Sequence, residues 1–169
     1  MKPLPMFLSL VFSLTADLVF LHTPFELAGI LLFILVQFCY RTLLAIPLLP
    51  WLKSGLLLAL FLTFTADFCG IKGSLLLAAA LFYFILLLIN LFHAWHQTFR
   101  SVPLLMALCL TMLLICDFHV GLYNLPRFLH PLPAALQNYC TLTAGHMIWI
   151  FYIPGQLIMV FLFLSSLRH

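Results

Sequence analysis

Charge is nearly absent from this sequence. Of its 169 residues, seven are Lys or Arg and four are Asp or Glu, so 7% are charged, where a soluble domain averages about 25%. A chain so poor in charge cannot cover an apolar core with polar surface, and water is not its solvent. The basic residues are scattered rather than clustered, which excludes the patch that phosphate backbones need and with it a nucleic-acid partner. Paired cysteines are missing as well. Cys39, Cys69, Cys109, Cys116 and Cys140 are odd in number and form no C-x-x-C motif, so they read as small buried hydrophobes rather than a redox centre. No polar–apolar alternation runs through the chain, which excludes a β-barrel.

Apolar sequence is abundant: 66% of residues are hydrophobic and eighteen are phenylalanine. A bilayer core about 30 Å thick takes roughly 20 apolar residues per helix. The runs and their breaks predict an all-α, polytopic membrane protein of about six transmembrane helices, organised as one domain over 1–169. The expected spans are Pro5–Leu21, Phe25–Ile46, Ser54–Ile71, Gly73–Phe92, Val102–Val120 and Thr141–Leu164. Lys2 and the run after it imitate a signal peptide, but the run continues through Asp17 without a good cleavage site and reads as a retained first span. The stretch from Gly121 to Cys140, rich in Pro, Asn and His, reads as a loop or an interfacial segment. Lys2, Arg41, Lys53, Arg100 and Arg168 fall on the side of the N-terminus, with Lys72 and Arg127 opposite, which favours both termini in the cytoplasm.

The four acids carry the strongest signal. Leu14-Thr15-Ala16-Asp17 is echoed by Phe64-Thr65-Ala66-Asp67, and Ile115-Cys116-Asp117 follows, so three aspartates recur at intervals of one helix pair. The spacing predicts a threefold helix-hairpin repeat with three carboxyls near one membrane face. At a helix centre each aspartate costs about 2.5–3.5 kcal/mol on insertion scales, and intramembrane ionisable groups face the bundle interior. Such carboxyls either reach the interface or hydrogen-bond a neighbouring helix, or they cluster. Clustered carboxyls titrate apart in a medium of low polarity and supply an acid and a base at one pH. Lys72, five residues after Asp67, is a candidate partner for it. Gln37, Tyr40, Tyr152 and Gln156 are polar groups inside spans two and six, and an aspartate is the obvious partner for each. His93 and His96 read as interfacial. A zinc site from His22, His119 and His130 lacks a spaced histidine pair, so neither metal nor cofactor is expected.

These residues resemble the YhhN-like family, whose characterised members are lysoplasmalogenases. The resemblance lies in Lys2-Pro3, Ala16-Asp17, Phe25, Gly29, Phe33, Gln37 and Tyr40, then in Cys116-Asp117, Phe151-Tyr152 and Gly155-Gln156-Leu157-Ile158. It spans most of the chain. Ala16 stands where the family has Gly, Gln37 where a His is common, and the chain is shorter than typical members. The resemblance implies a membrane hydrolase of bacterial type that cleaves the vinyl-ether bond of a lysophospholipid. Asp17 and Asp117 would be its catalytic pair. Tyr40, Gln37, Tyr152, Gln156, Asp67 and Lys72 would hold the substrate, with Lys72 or Arg127 meeting the phosphate. The alternatives are a small transporter or channel whose aspartates handle protons or cations, and a non-catalytic membrane scaffold.

Overall fold

The computed structural model describes residues 3–68, 75–97, 104–129 and 131–167. Every regular element among them is helical. The long helices are α1 (Pro3–His22), α2 (Glu26–Leu43), α3 (Leu48–Phe68), α4 (Leu75–Gln97), α5 (Leu104–Asn124) and α7 (Ala144–Ser166). A short α6 (Ala134–Asn138) leads through a π-turn (Tyr139–Thr143) into α7. Five helical stretches are long and apolar enough to cross a bilayer, and α3, with 21 residues, has the same length. Backbone groups cannot stay unpaired in hydrocarbon, and helices satisfy them internally. Hydroxyls follow the same rule: Thr15, Thr42, Thr63, Thr65 and Thr111 each donate to the carbonyl four residues earlier, at 2.7–2.9 Å.

The boundaries depart from expectation at three places. Helix α2 stops at Leu43, short of Ile46, because Ala45 turns left-handed (φ 53°). The Ile46 N–H then donates back to the Arg41 carbonyl at 3.1 Å, a Schellman closure in which alanine occupies the position usually held by glycine. Helix α3 starts at Leu48 rather than Ser54, since Pro50 falls in its first turn, where a missing N–H costs nothing. The largest correction concerns 121–140. That stretch is mostly helical: α5 continues to Asn124, a 3-10 turn covers Leu125–Arg127, and Pro133 caps α6. Its polar composition marks helix ends and turns, not an absence of helix.

Packing follows a closed ring. Helix α1 packs on α2, α2 on α4, α4 on α5, α5 on α7, and α7 returns to α1. Gly29 lets α2 approach α1 closely, for a Cβ there would lie 2.5 Å from the Phe20 ring. Helix α3 stands outside the ring and packs appreciably on α4 alone. It does so through small residues: Gly55 and Ala59 are buried, four apart, and Gly55 faces Phe82 and Ile85. Its other faces point outward, with Leu57, Phe64 and Phe68 at 67%, 72% and 88% exposure. The ring is filled by Met6, Val36, Tyr40, Leu87, Met106, Leu110 and Met159. Cys39, Cys109, Cys116 and Cys140 are buried free thiols, as expected of small hydrophobes, while Cys69 lies outside the described residues.

Candidate functional site

Inside the ring, α1, α2, α4, α5 and α7 enclose a cavity of about 20 Å³, room for a single water-sized group. Asp117 lines it from α5, Tyr83 from α4, Tyr152 and Gln156 from α7, and Gln37 and Tyr40 from α2. Ser13, Phe33, Val36 and Leu113 complete the wall. Among the described residues no Lys, Arg or His contributes to that lining. The cavity is therefore a carboxylate among phenols and amides, walled by hydrocarbon.

Each aspartate of the ring is held by a tyrosine from the neighbouring helix. The Tyr83 hydroxyl donates to Asp117 Oδ2 at 2.5 Å, and the Tyr152 hydroxyl donates to Asp17 Oδ2. Phenol–carboxylate bonds are of the short, charge-assisted kind and fix a carboxyl's orientation. Tyr152 lines the cavity together with Asp117 while holding Asp17. Asp17 does not itself line the cavity; it reaches it through the Tyr152 phenol. Below the tyrosines, Asn90 of α4 donates through Nδ2 to the Gln37 carbonyl at 3.0 Å and to Gln37 Oε1 at 2.9 Å. That amide pair is fully enclosed and fixes α2 against α4 at the cavity wall.

Of the residues singled out in the sequence, Asp17, Asp117, Tyr40, Gln37, Tyr152 and Gln156 are gathered at or against this one cavity. Asp67 is not. It is exposed near the end of α3, outside the ring, and takes no part in the lining. Local sequence cannot tell Asp67 from Asp17; the helix that carries it packs elsewhere. Lys72 and His130 lie outside the described residues. His119 is bound to the Ile115 carbonyl at 2.7 Å and to the Tyr139 hydroxyl at 2.9 Å, and stacks on Phe151. Among the described residues no three metal-ligating side chains come together.

Sequence reasoning missed Tyr83 and Asn90. Both are polar groups in the middle of an apolar helix, the same signal that marked Tyr40 and Tyr152. In the run Leu81-Phe82-Tyr83-Phe84 the tyrosine is masked by its aromatic neighbours. Glu26 and Arg127 form an exposed ion pair at 2.8 Å, joining the start of α2 to the turn after α5. Such a pair contributes little stability, yet it places the loop after α5 over the aspartate end of the bundle. Comparison of the chain with family models, with curated proteins and with solved structures finds no match, so the geometry of the cavity carries the functional argument.

Proposed function

We propose that this chain is a multi-pass protein of a bacterial plasma membrane that hydrolyses a vinyl-ether bond in a lysophospholipid, in the manner of the lysoplasmalogenases it resembles. One observation carries the reading: Asp117, held by Tyr83, lines a small cavity, and Asp17 reaches the same cavity through the Tyr152 phenol. Vinyl-ether cleavage needs such a pair. An acid protonates the alkenyl carbon distant from the ether oxygen, and the carbon next to that oxygen becomes an oxocarbenium. Water adds there and gives up a proton to a base. The hemiacetal then collapses to a fatty aldehyde and the free glycerol hydroxyl, with one water consumed and no net proton. Asp117, which lines the cavity, delivers the proton. Asp17 takes the proton from water through the Tyr152 phenol. Gln37, Tyr40 and Gln156 hold the ether oxygen and the water. Arg127 lies at the same end of the bundle and can meet the phosphate by exchanging Glu26 for it. A cavity of this size takes the water but not the alkenyl chain, so the chain must part the helices to reach Asp117.

The test is aldehyde release. Purified protein in detergent should liberate aldehyde from lysoplasmenyl lipid, and Asp117→Asn or Asp17→Asn should abolish it. A well-folded protein that releases none removes the proposal. A second reading, transport of protons or cations, is favoured by the polar groups that continue beyond the cavity through Gln37 and Asn90 toward Arg41. Flux into proteoliposomes that depends on Asp117, without aldehyde release, would select it.

A further inference from the structure

At the opposite end of the bundle, where α2 and α4 finish, a positive charge lies inside the protein. Arg41 is 1% exposed. Its Nη2 donates to the Pro47 carbonyl at a long 3.4 Å, while Nε and Nη1 are buried with no hydrogen-bond partner among the described residues. A guanidinium offers five donors and does not lose its proton, and a buried charge requires compensation. Its position in the last turn of α2 meets that need in part, since a helix C-terminus attracts cations.

No side-chain carboxylate of the chain supplies the rest. Asp17 is held by Tyr152, Asp117 by Tyr83 and Glu26 by Arg127, all at the other end. Asp67 stands one residue before the end of α3, a helix whose start, not its end, follows Arg41. An imidazole accompanies it: His93 of α4 lies within electrostatic range of both Arg41 and His96. Gln97 Nε2 donates to the Leu44 carbonyl at 3.2 Å and fastens the end of α4 to the turn behind Arg41.

We propose that Arg41, with His93 beside it, forms an anion site for a phosphate group, either the phosphodiester of an anionic lipid or free phosphate. The planar guanidinium matches two phosphate oxygens at once, and basic pockets between helices at a membrane face are suited to lipid headgroups. The site lies at the far end of the bundle from the carboxylates and does not rest on the hydrolase reading; its test involves no aldehyde.

The full chain is titrated with inorganic phosphate in neutral detergent and, separately, reconstituted with phosphatidylglycerol diluted in phosphatidylcholine. Thermal shift reads the first arm and native mass spectrometry the second. Saturable binding in the first arm alone identifies free phosphate; binding in the second identifies the headgroup. Arg41→Gln should weaken binding at least about tenfold, whereas Lys53→Gln, an exposed charge at the same end, should change it by no more than about twofold. Removing a buried cation can unfold a chain, so hydrogen exchange on the unaltered protein locates the site without a variant: ligand should protect 41–47 and 90–97. No saturable binding in either arm, equal loss in both variants, or protection confined to the aspartate end would overturn the proposal.

Discussion

Thr15-Ala16-Asp17 and Thr65-Ala66-Asp67 are the same three residues in two helices, Asp17 five residues before the end of α1 and Asp67 one before the end of α3. In both, the threonine hydroxyl returns to the carbonyl four residues back, so the local structure matches as well. Their fates differ. Asp17 faces a tyrosine across the ring, and Asp67 stays exposed on a helix outside it. A carboxyl near a helix end reaches the cavity only where its helix belongs to the ring.

The sharpest way to break this comparison is to neutralise the carboxyls one at a time. Asp117→Asn or Asp17→Asn should lower aldehyde release by about 10²–10⁴-fold, the usual contribution of a general acid or base. Asp67→Asn should stay within about twofold, as surface changes do; an equal loss at Asp67 would mean that α3 belongs to the site. Removing the donors comes next. Tyr83→Phe and Tyr152→Phe each delete one hydrogen bond to a carboxylate, worth about 1.5–3 kcal/mol, and should reduce kcat/KM by about 10- to 100-fold in steady-state assays. Retention of full activity by Tyr152→Phe would sever Asp17 from the cavity.

Smaller effects probe the ring itself. Asn90→Ala leaves the buried Gln37 amide without its partner and should cost about 1–3 kcal/mol in denaturant unfolding. At the exposed turn after α2, Ala45→Gly relieves a left-handed alanine and should add about 1 kcal/mol in the same measurement. A loss there would show that the Ala45 methyl makes a contact worth more than its strain.

Much of the candidate site was legible in the sequence because a polar side chain is conspicuous in hydrocarbon. Asp17, Asp117, Gln37, Tyr40, Tyr152 and Gln156 stand out that way, and Tyr83 and Asn90 carry the same mark less visibly among their apolar neighbours. The helix ends were less legible. Pro50 looks like a stop and falls within a first turn, Ala45 does not look like a stop and ends a helix, and the proline- and histidine-rich 121–140 conceals helical turns. Each of these depends on where in a helix a residue falls rather than on its type.

Composition by itself determined that the chain is helical with runs long enough to span a bilayer, because unpaired backbone in hydrocarbon permits little else. It also determined that the few polar side chains would need one another. Which of them meet was decided only by tertiary packing: a ring of five helices with α3 left outside turns two of three alike aspartates inward. Side-chain pairing depends on the neighbour a helix face is given, and no local sequence specifies that neighbour.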